Sequence, residues 1–422
     1  MDGKYWPRIA DEKLKLMLAT SGAVLIVGPK WCGKTRTAEE VSKSVLYMQD
    51  PDHAEDYRLL ADTKPSKLLE GETPRLLDEW QQAPVLWNAV RFAVDKRRAR
   101  GQFILTGSVV PPDTKDMHTG TGRIGRMAMH TMSLFESGES TGGISLRDLF
   151  SGKRDLFDES KLSVEQAARI LTRGGWPEAV GEENEVYALR MVYNYLDAVA
   201  NQDMSRIDDV ERKPDRVYAL LRSIARNIST QASTATLLRD LSSNDEGLSD
   251  KTINDYISAL KKLYVLDDLP AWSPHLRSKK AIRTTAKRHF SDPSIAAAAL
   301  GADSRKLLSD FKTLGYRFES LCIRDLRIYA DALDGSVYHY RDQTDFEVDA
   351  IIQLRDARWA AVEIKMGAGG IEKAAENLIR FRDSVDTEKT PAPSFLLVLT
   401  CTEYAFQMKN GVWVVPIGCL KD

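Results

Sequence analysis

The sequence predicts an α/β protein of several domains, and three observations carry that reading. A short apolar, β-branched run, Ala23–Val27, leads into Gly28-Pro29-Lys30-Trp31-Cys32-Gly33-Lys34-Thr35 and then a helical pattern over 37–44. That is the strand, glycine-rich turn and helix order of a phosphate-binding loop. The last third of the chain alternates strand and helix patterns again, and the stretch between reads as mostly helical. At 422 residues the chain exceeds one ordinary core, so two or three domains are expected. Apolar content of 43% with 28% charged residues excludes a disordered chain. The net charge of −2 names no partner by itself. Four scattered cysteines without metal-type spacing point to a reducing compartment and no disulfide framework. The N-terminal residues lack an apolar leader core, and no apolar run approaches a membrane span. A cytoplasmic protein with no membrane partner is the expectation.

The loop matches G-x-x-x-x-G-K-S/T. Backbone N–H groups of the loop and the following helix would point at the α- and β-phosphates of a nucleotide. Lys34 would reach the β- and γ-oxygens, and the Thr35 hydroxyl would ligate Mg²⁺. Gly28, Pro29, Lys30, Trp31, Cys32, Gly33, Lys34, Thr35 and Arg36 are therefore the expected ATP-binding residues. Before the loop, 9–20 reads as an amphipathic helix beside the nucleotide, with Tyr5, Trp6, Pro7 and Arg8 as candidates to line the adenine. Downstream, 74–80 is an apolar strand ending in Asp78-Glu79. Asp78 would hold Mg²⁺ through its water shell, and Glu79 would polarise the attacking water. A helix over 88–98 precedes another buried strand, 102–108, whose Thr106 and Ser108 could orient that water. The glycine-rich basic loop at 118–127 offers Arg123, then Arg126, to the γ-phosphate of a neighbouring subunit. Self-association is expected on that ground.

These phrases, with Gly122-Arg123-Ile124, Met132-Ser133-Leu134-Phe135-Glu136 and Gly174-Gly175-Trp176-Pro177-Glu178, resemble one family over nearly the whole chain. It is the prokaryotic AAA-superfamily ATPases carrying a C-terminal domain of unknown function numbered 4143. The resemblance and the element pattern imply a P-loop AAA-type ATPase core (1–138), a helical lid (139–205), a winged-helix-like segment (206–300) and a PD-(D/E)XK nuclease-like α/β domain (301–422). Trp176 stands where family members more often have Tyr or Phe, which keeps the bulk.

In the lid, Arg173 is a candidate to contact the γ-phosphate, against a plain capping or surface role. Helices over 217–227, 235–241 and 249–263, then short strands at 264–266 and 271–272, follow the winged-helix layout. The basic stretch 277–289 would contact phosphates or pack subunits. In the last third, a helix from 315 precedes strands at 336–341, 346–354 and 358–364 and a helix at 371–382. Strand alternation puts Glu363 and Lys365 on one face, and a hairpin brings Asp349 beside them. Asp349 and Glu363 could hold a second Mg²⁺ or a Mn²⁺, with Lys365 activating water. Under the resemblance, Glu319 is the additional helix carboxylate. The favoured function is an ATP-driven machine acting on nucleic acid, DNA before RNA. The alternative is an ATP-dependent switch or scaffold that binds a partner through a catalytically silent nuclease-like domain.

Overall fold

The structure is a computed structural model describing residues 5–107, 119–208, 210–242, 248–273 and 285–422. The chain forms two compact units, Met1–Thr131 with Lys262–Tyr264, and Met132–Lys261 with Val265–Asp422. The stretches expected as lid, winged-helix segment and C-terminal domain thus fall, apart from 262–264, within the second.

The first unit is built on β1 (Ala23–Val27), β2 (Ser44–Tyr47), β3 (Arg75–Asp78), β4 (Phe103–Gly107) and β5 (Ile124–Ala128). They form a parallel sheet in the order β2-β3-β4-β1-β5. Every residue of β1 and β4 is buried, because helices cover both faces of such a sheet, and that is why both strands read as unbroken apolar runs. Successive side chains serve opposite faces. Leu25, Leu77 and Leu105 pack with Trp80, Leu86, Trp87 and Val90 on one face. Val24, Ile26, Leu76 and Ile104 pack with Leu14, Leu18 and Ala38 on the other. The helix after the loop is shorter than expected, Lys34–Glu39. Ser42 donates its hydroxyl to Ala38 O at 2.6 Å, and Ser44 and Val45 leave helical geometry to pair with β3. Long-range strand pairing overrides the local periodicity there.

The second unit opens with helices, among them Val164–Arg173, Glu185–Ala198, Pro214–Arg226 and Asp250–Lys262. Val164–Arg173 starts at a reciprocal cap between Ser163 and Gln166. Its strands are β6 (Ile144–Ser145), β7 (Asp158–Glu159), β8 (Gly335–Arg341), β9 (Glu347–Leu354), β10 (Trp359–Lys365), β11 (Phe395–Thr400), β12 (Tyr404–Gln407), β13 (Trp413–Pro416) and β14 (Leu420–Lys421). A seven-stranded sheet runs β7-β12-β13-β11-β10-β9-β8. The β8-β9-β10 meander is antiparallel, and β11 joins β10 in parallel. Helix Ile371–Ser384 buries Ala374, Ala375, Leu378 and Phe381 against Val348, Ile351, Trp359 and Ala361. The 22-residue helix Phe311–Ala332 begins four residues before the expected start, at an Asp310 cap to Thr313 N, and packs against β8, β9 and β10.

The short strands expected at 264–266 and 271–272 do not pair with each other. Leu266 bridges Phe290 and Leu269 bridges Lys287, both antiparallel, whereas Ala271 bridges His339 on β8. Segment 265–272 thereby pairs with 287–290 and is fastened to the edge of the large sheet. Most of the basic stretch, 277–284, lies outside the described residues.

Two of the phrases noted above meet at a buried ion cluster. Arg324 donates to Asp325 Oδ1 at 2.8 and 2.7 Å and to Asp292 Oδ2 at 3.2 Å. Asp325 Oδ2 accepts Leu134 N at 3.0 Å, Asp292 accepts Gly175 N at 2.9 Å, and Met132 N reaches Gly175 O at 2.6 Å. Trp176 adds its indole N–H to Ser294 Oγ at 3.0 Å. A Cβ on Gly175 would stand 2.1 Å from Met132 O, so no larger residue fits.

Candidate nucleotide site and carboxylate–lysine cluster

The loop leaves the C-terminal end of β1 through Gly28 at φ 152°, where a Cβ would meet Met129 O at 2.1 Å. Gly33 at φ 101° turns it into the helix. Both positions need glycine, for approach and for backbone sign. Lys34 is buried, with Nζ on Gly28 O at 3.0 Å and Pro29 O at 2.8 Å. The Thr35 hydroxyl donates to Asp78 Oδ1 at 2.7 Å, and the Thr106 hydroxyl donates to the same oxygen at 2.6 Å. Asp78 and Thr106 are register partners at the ends of β3 and β4. Thr106, rather than Ser108, is thus the described polar residue of β4 at this point; Ser108 lies outside the described residues. Glu79 follows with φ 53° and receives the Gln81 amide. Burial, then the Asp78 charge, raises its carboxyl above the ordinary range.

Around the loop, Arg8 is buried and donates to Cys32 O at 2.7 Å and His130 O at 2.9 Å. Tyr5 OH lies 3.0 Å from Thr37 Oγ1. The segment before the first helix therefore clamps the loop, a role for Arg8 that no pattern had signalled. Trp6 and Trp31 are exposed. Arg36 is held on the outer helix face by Glu39 at 2.7 Å and Glu40 at 3.6 Å.

Arg123 stands at the other end of β1, where its carbonyl accepts Ala23 N at 3.0 Å. Its guanidinium pairs with Asp95 at 2.8 Å. Arg126 lies over the Trp87 ring, 5.9 Å from the centroid. Arg173, in the second unit, pairs with Glu139 at 2.8 Å.

The β9–β10 hairpin does bring Asp349, Glu363 and Lys365 together. Lys365 Nζ donates to Glu363 Oε2 at 2.8 Å and Asp349 Oδ2 at 3.2 Å, and Ile364 N donates to Asp349 Oδ2 at 2.8 Å. Asn377, from helix Ile371–Ser384, donates to Glu363 Oε1 at 2.6 Å. Helix Phe311–Ala332 adds Glu319, as expected. The unforeseen member is Lys287. Its side chain is 2% exposed, and Nζ lies 3.0 Å from Glu319, 2.6 Å from Glu347 and 3.7 Å from Asp349. Four carboxylates thus share two ammonium groups. Burial, reinforced by Asp349, pushes Glu319 up to about 8 and Glu363 up to about 7. Burial acts the same way on Asp349, but Lys287 and Lys365 outweigh it and hold that carboxyl below its usual value. The ligand set expected for a second Mg²⁺ or Mn²⁺ (Glu319, Asp349, Glu363) is engaged by lysines. Among the described residues no group of three or more His, Cys, Asp or Glu is arranged to hold a metal ion. As they stand, these residues do not fit a divalent cation.

Residues 20–137 match the model of an AAA domain, 164–306 a domain of unknown function (DUF8612), and 314–420 a domain of unknown function (DUF4143). Two uncharacterized proteins, from Mycobacterium bovis and Mycobacterium tuberculosis, are each 24% identical over 349 residues, 82% of this chain and 71% of theirs. Among solved structures, a Walker-type ATPase of Pyrococcus abyssi aligns at 14% identity and TM-score 0.42, over 70% of this chain and 96% of that one. No helix among the described residues is long and apolar enough to cross a membrane.

Proposed function

We propose that this chain, whose residues 20–137 match an AAA domain and 314–420 a DUF4143 domain, binds and hydrolyses ATP with Mg²⁺ at the 28–35 loop. The observation that supports this reading is Asp78 Oδ1 accepting from Thr35 and Thr106 at 2.7 and 2.6 Å. A hydroxyl and a carboxylate are hard oxygen donors of the kind Mg²⁺ takes beside nucleotide phosphates, so Thr35 and Asp78 would hold it. Bound there, the cation supplies positive charge to the phosphate oxygens. Lys34, now on two loop carbonyls, exchanges them for phosphate oxygens. Glu79 takes the proton of the attacking water, and Thr106 orients Asp78. Lys34→Ala should abolish nucleotide binding, read with a fluorescent ATP analogue. Glu79→Gln should keep binding and lose turnover by about 10²-fold or more. Wild-type turnover by Glu79→Gln would remove it as the base.

For the second unit, cleavage of nucleic acid, DNA before RNA, competes with partner binding by a catalytically silent domain. The lysine-neutralised cluster favours the silent reading, with ATP turnover as the switch. Incubating DNA and RNA with the full chain in Mg²⁺ or Mn²⁺ tests it. Cleavage that Asp349→Ala abolishes would restore the nuclease reading.

A further inference from the structure

We propose that Lys287 is the built-in cation of the Glu319, Glu347 and Asp349 cluster, set there by its pairing with Leu269, and that it keeps divalent cations out. The inference deepens the silent reading of the second unit and rests on it. Lys287 is pinned at its backbone as well as its tip. Its N–H donates to Leu269 O at 3.0 Å and its carbonyl accepts Leu269 N at 2.9 Å. The next residue, Arg288, pairs with Asp268 at 2.6 Å and donates its N–H to Thr230 O at 2.9 Å. The Leu269 segment is tied in turn to β8, where Trp272 N donates to His339 O at 2.7 Å and His339 N to Pro270 O at 2.9 Å. The backbone at Lys287 is thus fixed, and its ammonium is held at 2% side-chain exposure by Glu319, Glu347 and Asp349.

The chemistry of the pocket requires positive charge. Carboxylates from three elements converge there: Glu319 from helix Phe311–Ala332, Glu347 and Asp349 from β9, and Glu363 from β10. Removing the cation partner of buried carboxylates leaves them uncompensated, a heavy penalty. Lys365 covers Asp349 and Glu363 from the outer side, with its side chain 36% exposed. Lys287 covers the inner side. A divalent cation needs carboxylate oxygens at about 2.0–2.6 Å, in the space the Lys287 ammonium takes. Two cations cannot share it.

The test titrates full-length chain with MnCl₂ by calorimetry, without nucleotide, in an Asp78→Asn background that weakens the nucleotide site. With Lys287 in place, no isotherm dependent on Asp349 is expected up to about 1 mM, the limit of weak binding. Lys287→Met, close in length and uncharged, should gain one Mn²⁺ site at least about tenfold tighter, and adding Asp349→Asn should remove it. Lys287→Arg should stay blind to Mn²⁺. A Lys287→Met chain that folds only with Mn²⁺ present also supports the proposal. Mn²⁺ binding with Lys287 in place, lost in Asp349→Asn, overturns it. So does a folded Lys287→Met chain that takes no Mn²⁺, or one that misfolds with and without it, since the ammonium would then be irreplaceable structure. The silent reading fails separately, by the cleavage assay above.

Discussion

At the residue scale, Asp78 connects three parts of the site: the loop through Thr35, the neighbouring strand through Thr106, and the Glu79 carboxyl beside it. Replacing the Thr106 hydroxyl by a methyl leaves Asp78 with one donor fewer. A hydrogen bond to a charged group contributes about 1.5–3 kcal/mol. Thr106→Val should therefore lower kcat by roughly tenfold or more with nucleotide affinity little changed, a split that steady-state kinetics beside direct ATP binding would reveal. Glu319 offers a second prediction at this scale. Its carboxyl is raised in the folded chain to about 8, so between the ordinary Glu range and that value the folded chain binds more protons than the unfolded one. Stability from this group is complete at low pH and is lost as pH rises through about 8. Glu319→Gln should flatten the fall in melting temperature between about pH 5 and 8. An unchanged slope would mean that Glu319 is ionised beside Lys287 throughout.

At the element scale, the Arg324 cluster explains why 132–136 and 174–178 hold their positions. Asp325 caps the first, Asp292 caps both the second and helix Pro293–Ala299, and Arg324 neutralises the two carboxylates. Asp292 and Asp325 are fully buried and Arg324 nearly so. Breaking such a cluster from one side leaves a buried charge without its partner and costs about 3–5 kcal/mol. Asp325→Ala should lower stability by that amount in urea unfolding while nucleotide binding by the first unit persists. Loss of less than about 1 kcal/mol, the value of an exposed pair, would show that water replaces the carboxylate.

At the scale of the whole molecule, the position of Arg123 bears on assembly. The loop leaves one end of the five-residue β1, and Arg123 pairs at the other. At about 3.3 Å per residue that separates them by roughly 13–16 Å, with Asp95 holding the guanidinium. So placed, Arg123 stands away from the loop of its own chain, and the expectation that it serves a phosphate on a neighbouring copy can be tested directly. Arg123→Ala subunits should turn over slowly, by about 10³-fold, and mixing them with Lys34→Ala subunits should recover part of the activity. Full activity in a strictly monomeric chain would end the case for a shared site.

The sequence by itself determined the features that local backbone and side-chain chemistry dictate. The strand before Gly28, the two glycines, Lys34, Thr35 and the Asp78-Glu79 strand end were legible because each belongs to a contiguous pattern. Asp349, Glu363 and Lys365 were legible because strand alternation and a single hairpin suffice to gather them. Tertiary structure decided the rest. Arg8 reaches the loop at Cys32 and the chain at His130, a contact that no spacing along the sequence encodes. Lys287 lies 32 residues before Glu319, inside a basic run whose pattern suggests solvent. Only the pairing of Leu269 with Lys287 turns that ammonium inward. A lysine is buried when the fold has already gathered carboxylates to receive it, and that gathering is a property of the assembled sheet and helix, not of the neighbouring residues.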